Sequence, residues 1–307
     1  MPKAQNWNKT APLPLNEGER LDELGRKGYR IIQHTKTFCF GIDAVLLADF
    51  ARISKRAKVL DLGCGNGILP LLLAARDKGN IFTGVEIQPQ QADLAGRNAV
   101  LNGLEDRFQV LNTDLKELFV AQRPQEERSA LPLRASFDAV VTNPPYMKKN
   151  SGLINPESSK AIARHELCCE LADVLKAASL ALKDGGSLFL VYRCWRMAEL
   201  LALLPGFGLA AKRLRIVSSF ADSEGELLLL EAKKGGAEGL TVLAPLILYE
   251  KSGVFTREVR QIYRDDPVLA KENAEESVQA SAGNETERCK TRQMQAQPGE
   301  QTGEEEK

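Results

Sequence analysis

Short apolar runs alternate with amphipathic stretches from Lys58 to about residue 265. The runs are rich in Val, Ile, Leu and Phe, which is typical of buried strands, and the stretches between them repeat apolar residues at helical spacing. Strands that alternate with helices form a mostly parallel sheet covered by helices on both faces. We therefore predict an α/β fold with a doubly wound, seven-stranded, mostly parallel sheet. The predicted strands are 58–62, 81–87, 108–114, 137–142, 187–194, 209–218 and 226–233. The last two are expected to form an antiparallel hairpin at the sheet edge. We also predict a helix over 164–183 that is stopped by Asp-Gly-Gly, a further strand over 240–249, and long loops at 121–135 and 148–163.

The rest of the chain differs in character from this domain of residues 58–265. Residues 1–57 form a lead-in, with a short extended piece followed by an amphipathic helix from Asp43 to Ile53. Asp43 precedes an apolar run and is expected to act as the N-cap of that helix. Residues 266–307 are rich in Glu, Gln, Ser and Gly and nearly free of apolar residues, so we predict a disordered tail.

A glycine-rich loop follows the first strand of the predicted domain. Gly63, Gly65 and Gly67 form the pattern G-x-G-x-G, and the residues after them have helical periodicity. The dinucleotide fingerprint G-x-G-x-x-G would need glycine at the position of Ile68. The loop therefore suits a ligand that carries no phosphate.

Acidic residues stand at or near the carboxyl ends of the first three strands. Asp61 comes just before the glycine loop. Glu86 lies 25 residues after Asp61, at the end of the second strand. An acidic residue at such a distance lies beside the loop and can accept both ribose hydroxyls. Asp114 ends the third run and could accept a hydrogen bond from an adenine amino group. An ordinary β-α-β unit with polar strand ends is the alternative interpretation.

The fourth strand ends in Asn143-Pro144-Pro145-Tyr146. Successive prolines cannot continue a helix or a sheet ladder, so the chain must turn rigidly there. Such a turn would hold the Asn143 amide oxygen and the Pro144 carbonyl ready to accept the two hydrogens of one planar NH₂ group. Tyr146 would offer a ring face on which a flat base or amide can stack. A Pro-Pro turn that merely closes a strand is the alternative.

The D-L-G-C-G-N-G loop at 61–67, the V-E-I sequence at 85–87 and N-P-P-Y together resemble the class I S-adenosylmethionine-dependent methyltransferases of the N-P-P-Y type. The resemblance implies a Rossmann-like domain that binds S-adenosylmethionine. The cofactor-binding residues that it implies are Asp61, Gly63, Gly65, Gly67, Glu86, Ile87, Asp114, Leu115 and Asn143. The catalytic residues that it implies are Asn143, Pro144 and Tyr146.

The lead-in carries a second resemblance. Residues 28–34 (G-Y-R-I-I-Q-H) and 38–47 (F-C-F-G-I-D-A-V-L-L) are similar to the lead-in of bacterial tRNA(Val) adenine-37 N6-methyltransferases. This resemblance covers about residues 19–265 and implies a tRNA partner, with the target adenine in the anticodon loop. It also leaves a second option for Asp43, in which the turn at 40–43 closes over the cofactor.

The implied methyl transfer depends little on acid or base catalysis by side chains. The sulfonium methyl group is already activated, whereas the adenine N6 lone pair is delocalised into the ring and is a poor nucleophile. Accepting the N6 hydrogens at Asn143 and Pro144 favours a pyramidal nitrogen and stabilises the developing positive charge. No strong general base is required, so His34 and His165, the histidines of the chain, are expected to be structural or RNA-contacting.

Three other functions stay open at this point. N-P-P-Y also suits a protein glutamine amide, although enzymes of that kind usually carry a helical domain ahead of the loop, and only 57 residues precede Lys58. The adenine could instead belong to rRNA or DNA, although DNA enzymes usually need a separate target-recognition region. A non-catalytic RNA-binding module would need a degenerate site, whereas the glycine loop, Glu86 and Asn143 are intact.

The composition of the chain limits the partners, metals and cellular location that we expect. Acidic and basic residues balance at 41 each, with 9 and 5 of them in residues 271–307, so the remainder is mildly cationic (36 − 32 = +4) and permits RNA binding. The six cysteines form no C-x-x-C pair, so no metal is expected, and no apolar run spans a membrane. We expect a cytoplasmic protein, monomeric by default. The candidate RNA contacts are Lys148, Lys149, Arg164, Arg193, Arg196 and Arg257.

Overall fold

The computed structural model describes residues 14–35, 40–119, 133–144 and 170–263. Its main elements, in chain order, are β1 (Glu19–Glu23), β2 (Arg30–His34), α1 (Ile42–Phe50), β3 (Lys58–Leu62), α2 (Ile68–Ala75), β4 (Ile81–Glu86), α3 (Pro89–Leu101), β5 (Phe108–Asn112), β6 (Phe137–Thr142), α4 (Leu171–Ala181), β7 (Leu182–Arg193), α5 (Met197–Leu203), β8 (Leu209–Ser218), β9 (Leu227–Lys234), β10 (Thr241–Val242), β11 (Leu246–Ile247), β12 (Tyr249–Lys251), β13 (Val254–Phe255) and α6 (Arg257–Ile262). The chain divides into two compact units, residues 1–262 and residues 263–307, and all of these elements belong to the first unit.

A sheet of nine strands forms the centre of the described chain. Its order is β10-β8-β9-β7-β6-β3-β4-β5, with β11 also paired to β8. The strands from β3 to β7 are mutually parallel, and β9 runs antiparallel between β7 and β8. The predicted mostly parallel α/β fold with an antiparallel hairpin is confirmed. The very short strands β10 and β11 extend the sheet beyond the seven predicted strands, so the hairpin does not form its outer edge.

The middle of the sheet is buried on both faces. Leu188, Leu190 and Tyr192 of β7 point to one face, where they join a core cluster with residues of α4 such as Leu175. Residues alternate between faces along a strand, so Phe189 points to the face on which α1 contacts β7. All of these side chains are fully or nearly fully buried. Burial on both faces explains why the strand reads as a continuous apolar run rather than as an alternation.

Several element boundaries differ from the prediction. The helix that was predicted to run from residue 164 to residue 183 ends at Ala181, and β7 starts at once at Leu182. Residues 183–186, which include Asp184-Gly185-Gly186, are not paired with β6 or β9: the pairing with β6 passes from Leu182 to Ser187 through an irregularity in register, and Gly185 has a φ of 77°. The strand predicted between residues 240 and 249 is divided into short pieces. The extended piece of the lead-in is the antiparallel hairpin β1–β2.

The β1–β2 hairpin is fastened to α3 by a buried ion pair. Both guanidinium nitrogens of Arg97 reach the Glu19 carboxylate, at 2.6 and 2.8 Å, and the two side chains are 4% and 5% exposed. Arg97 also donates to the Pro14 carbonyl at 2.6 Å. The pairing holds the pKa of Glu19 below its ordinary value. A buried, bidentate pair of this kind fixes the position of the hairpin on the domain.

Some predictions fall outside the described residues. They concern Tyr146, the lysines at 148 and 149, Arg164, and the tail at 266–307, together with most of the loops at 121–135 and 148–163. The division of the chain at residues 57 and 265 stays a prediction. In the part of the chain that the structure describes, no helix combines the length and the apolar character needed to cross a membrane.

Candidate active site

The glycine loop leaves β3 at the carboxyl edge of the sheet and enters α2. Gly63, Gly65 and Gly67 have φ values of 74°, 54° and 84°, which side chains rarely adopt. A Cβ at Gly63 or Gly65 would meet no described atom within 4 Å, whereas one at Gly67 would lie 2.9 Å from the Phe108 ring. The first two glycines therefore border a space that a ligand can approach at backbone distance, and the third packs the loop against β5.

Cys64 belongs to the packing of this loop rather than to its chemistry. The residue is 3% exposed, and a Cβ at Gly84 of the next strand would lie only 2.6 Å from its sulfur. Burial raises the pKa of the Cys64 thiol well above its ordinary value. A thiol of this kind is a weak nucleophile, so Cys64 acts as a small side chain that fits the packing of the loop.

Glu86 lies at the end of β4, directly beside the glycine loop. Its Oε2 accepts a hydrogen bond from the Gly65 amide at 2.9 Å, and its Oε1 accepts one from the Gln88 amide at 2.8 Å. The residue is 5% exposed. The two bonds fix the carboxylate beside the glycine loop, and its role as a ribose acceptor stays a prediction.

Asp61 is a buried carboxylate beneath the loop. It is 1% exposed, and neither of its oxygens has a hydrogen-bond partner in the described part of the chain. Burial, and secondly the charge of Glu86, raise the pKa of Asp61 well above its ordinary range. A buried polar group without a partner is destabilising by about 1–3 kcal/mol, and a charged one by more. Asp61 is therefore suited to pair with a hydrogen-bond donor or a cation of a bound ligand.

The third predicted acidic residue, Asp114, follows β5 rather than ending it. Its Oδ1 accepts a hydrogen bond from the Lys116 amide at 2.9 Å, and its side chain is 22% exposed. Leu115 is half-buried against the core, and Ile87 at the end of β4 is 39% exposed. Asn112 donates from its side chain to the Glu86 and Ile87 carbonyls, at 2.8 and 3.1 Å. This bridge joins the ends of β4 and β5.

The end of β6 is locked to the end of β3. The Thr142 hydroxyl donates to the Leu62 carbonyl at 2.7 Å, and the bond is fully buried. Asn143 comes next and is half-buried, and Pro144 is buried. Because Leu62 precedes Gly63, this bond fixes the position of Asn143 relative to the glycine loop.

Asp43 makes a contact that the sequence did not suggest. The N-cap of α1 is Gly41, so the prediction that Asp43 caps the helix is wrong. Asp43 lies in the first turn, where its Oδ1 accepts from the Ala44 amide at 2.9 Å and its Oδ2 accepts from the Asn143 Nδ2 at 3.0 Å. A carboxylate only accepts at neutral pH, so the NH₂ of Asn143 faces Asp43 and its Oδ1 faces away. Local pattern cannot identify a partner 100 residues away.

A second buried amide connects the lead-in to the loop. The Asn98 Oδ1 accepts from the Ile32 amide at 2.7 Å, and its Nδ2 donates to the carbonyls of Ile32 and Asn66, at 3.1 and 2.9 Å. Asn98 is 0% exposed. It pairs with β2 as another strand would and at the same time holds the glycine loop. A polar residue among the buried positions of α3 is the sequence signal for this contact.

These groups meet at one edge of the sheet and define what the site can do. The buried acidic pair, Asp61 and Glu86, favours a ligand with cationic and hydroxyl groups. Asn143 and Pro144 directly follow the neighbouring strand β6. Among the described residues, no group of three His, Cys, Asp or Glu side chains is arranged to hold a metal ion. The arrangement suits recognition of an amino group beside a non-phosphate cofactor.

Comparisons with known proteins agree with this geometry. Residues 31–204 match the family model described as methyltransferase small domain. A tRNA1(Val) (adenine(37)-N6)-methyltransferase of Shewanella baltica is 27% identical over 226 residues, which are 73% of this chain and 90% of the relative. A protein of the same name from Porphyromonas gingivalis is 29% identical, over 62% of this chain and 72% of the relative. The crystal structure of a protein described as a predicted O-methyltransferase, from Agrobacterium tumefaciens, has a TM-score of 0.57 at 25% identity and covers 73% of this chain and 96% of its own.

Proposed function

Because this chain belongs to the methyltransferase small domain family and is therefore a methyltransferase, we propose that it transfers a methyl group from S-adenosylmethionine to the N6 amino group of an adenine in RNA. The resemblance to methyltransferases noted from the glycine loop and N-P-P-Y is thereby confirmed at the level of the family. The proposed RNA is tRNA and the proposed target is adenine 37, as the names of the similar proteins suggest; in this proposal the adenine lies in the anticodon loop.

The cofactor fits the residues at the glycine loop. S-adenosylmethionine supplies a methyl group already activated on a sulfonium ion, and it also carries an ammonium group and two ribose hydroxyls. Glu86 would accept the hydroxyls. Asp61, buried and without a partner among the described residues, would pair with the ammonium group. Ile87, Asp114 and Leu115 would hold the adenine of the cofactor, and Gly63 and Gly65 would leave room for its amino-acid part.

The observation that carries the proposed substrate is the hydrogen bond from Asn143 Nδ2 to Asp43 Oδ2 at 3.0 Å. This bond turns the Asn143 oxygen away from Asp43, and we propose that the oxygen faces the target amino group. With the Pro144 carbonyl it forms a pair of acceptors, which suits the two hydrogens of an NH₂ group better than a hydroxyl, which has one. Tyr146 would supply the ring on which the target base stacks.

The chain's own residues then account for the rate in two ways. Asp43 and Thr142 hold Asn143 at a fixed place, so the target nitrogen is positioned for in-line attack. Asn143 and Pro144 stabilise the positive charge that develops on that nitrogen, and a preorganised polar group of this kind contributes about 10²–10³-fold to kcat. No proton has to leave before the transfer.

The test is transfer of labelled methyl groups from S-adenosylmethionine to separate pools of tRNA, rRNA, DNA and protein, taken from cells that lack the enzyme. We expect N6-methyladenosine in the tRNA pool. The matched control is Asn143→Ala, which should lose activity while keeping its affinity for the cofactor. Label on protein glutamine, or activity of Asn143→Ala equal to that of the wild type, would show that the proposed substrate or the proposed catalytic residue is wrong.

A further inference from the structure

Trp195 is the most exposed of the large apolar residues in the described chain, at 63%. Single exposed apolar side chains are common on protein surfaces, so exposure alone has no functional meaning. The position of Trp195 is more informative. It follows β7, which is the direct neighbour of β6 in the sheet, and both strands end at the edge that carries the candidate active site.

The register of the sheet places Trp195 near Asn143. Leu190 is paired with Thr142, so β7 continues past the level of Asn143 until it ends at Arg193. Two residues later, Trp195 lies in a short 3-10 turn, Cys194–Arg196. At about 3.4 Å per strand residue, the turn is on the order of 10 Å from Asn143. A nucleotide next to a target base bound at Asn143 would therefore reach it.

The turn that carries Trp195 is firmly held. Arg196 is 8% exposed and is bound by Glu199 through two hydrogen bonds, of 2.9 and 2.7 Å. Its guanidinium carbon lies 5.0 Å from the ring centre of Tyr192 and 5.7 Å from that of Trp195. The Cys194 amide donates to the Glu226 carbonyl at 3.2 Å. A large aromatic ring is thus presented to solvent from a rigid base, which lowers the entropy that binding would cost.

Charges near the turn indicate which part of a nucleic acid it meets. Glu199 neutralises Arg196, so Arg196 is a poor phosphate ligand, contrary to its place among the candidate RNA contacts. The loop before β9 carries Asp222, Glu224 and Glu226, which repel phosphates. The Trp195 ring itself is uncharged, so the part of a nucleic acid that it can bind is the face of a base rather than a phosphate. On the basis of the proposed function, we infer that Trp195 is a stacking subsite for an unpaired nucleobase adjacent to the target adenine.

The test uses the fluorescence of Trp195 itself. The chain has two tryptophans, Trp7 and Trp195, so Trp7→Phe leaves one reporter. This variant is titrated with a synthetic RNA stem-loop whose unpaired adenine has unpaired neighbours, and with the same RNA made abasic at those neighbours. Stacking on the intact RNA quenches the emission, and the abasic RNA leaves it largely unchanged. Equal quenching by both RNAs, or none by either, overturns the subsite.

Kinetics supply the matched comparison. Trp195→Ala should raise the Kd for the intact RNA by about 5- to 150-fold, as expected for one base–aromatic stack, with kcat at saturating RNA unchanged. Trp195→Phe, which keeps a ring, should restore most of the affinity. Because no phosphate contact is lost, the salt dependence of RNA binding should be the same in Trp195→Ala and the wild type. The control is Val242→Ala, at a residue that is 62% exposed but lies on β10, three strands away from β7 in the sheet.

The subsite and the proposed function fail in different ways. If the wild type methylates adenine in RNA but Trp195→Ala binds RNA as tightly as Val242→Ala, the subsite is wrong and the function stands. If the wild type methylates no RNA in any pool, the function is wrong, and the subsite is overturned with it. Folding of each variant is checked by its Tm and by its affinity for S-adenosylmethionine.

Discussion

Replacing Asp61 with Asn should stabilise the cofactor-free protein and at the same time weaken cofactor binding. Burial and the charge of Glu86 raise the pKa of Asp61, so the folded state holds its proton more tightly than the unfolded state does. The stability that this group contributes is therefore present below its ordinary pKa of 3.8 and is lost as the pH rises through the raised value. Each unit of upward shift corresponds to about 1.4 kcal/mol.

Asn cannot ionise, so Asp61→Asn escapes this penalty at neutral pH. A gain of even 1 kcal/mol raises the Tm of a domain of this size by about 2–4 °C. The two proteins should become equally stable in acid, where Asp61 is protonated. Cofactor affinity should move the other way, because truncating one partner of a buried charge pair weakens binding by about 2–5 kcal/mol, or roughly 30- to 5,000-fold.

Thermal unfolding at several pH values and calorimetric titration test both halves. Methylthioadenosine has the adenosine of the cofactor but not its amino-acid part, so Asp61→Asn should bind it as the wild type does. Glu86→Gln is the control, since loss of the ribose contact should weaken both ligands. In the wild type, binding of S-adenosylmethionine should release a proton and tighten as the pH rises. Equal weakening of both ligands by Asp61→Asn, or a lower Tm at neutral pH, would refute the assignment.

Three further substitutions test how the site is held. Asp43→Ala should lower kcat by about 10- to 100-fold, because the Asn143 amide is misplaced. It should have little further effect in an Asn143→Ala background. Additive losses in single-turnover assays would show that the two residues act separately. Thr142→Val removes the hydroxyl that donates to the buried Leu62 carbonyl. It should lower the free energy of unfolding in urea by about 1–3 kcal/mol without changing cofactor affinity. A loss of affinity instead of stability would contradict the described bond. Burial lowers the pKa of Lys78 to about 8 from 10.5, so the stability of the wild type relative to Lys78→Met should rise between these pH values, and parallel urea-denaturation profiles would contradict it.

The sequence predicted the sheet well because its strands are marked locally. The strands of the parallel core are apolar on both faces, and a glycine or proline signal follows β3 and β6. The boundaries of α4 and β7 were less predictable, since Asp184-Gly185-Gly186 is a typical stop signal. Leu182 pairs with β6 before this signal, and regular pairing with β6 and β9 resumes only at Ser187, so β7 begins earlier than predicted while residues 183–186 interrupt its register.

The contacts that position the candidate site are of another kind. Asp43 with Asn143, Thr142 with Leu62, and Glu86 with Gly65 join residues far apart in the chain. A local pattern shows which residues stand at strand ends but not which way an amide points, and that direction decides whether Asn143 offers an oxygen or a nitrogen to a substrate. The local pattern of Asp43 was that of a helix cap, and only the fold shows that it belongs to the site.

The same reasoning changes the role of the lead-in. Its resemblance to tRNA-modifying enzymes would by itself allow an appendage that only touches RNA. However, Asn98 binds β2 of the hairpin and the Asn66 carbonyl of the glycine loop with one side chain, and α1 supplies Asp43 to Asn143. A displacement of the lead-in must therefore move either the cofactor loop or the catalytic amide. If the proposed RNA contacts the hairpin, its binding should be coupled to binding of the cofactor at the loop, and each should strengthen the other where RNA favours the arrangement described here.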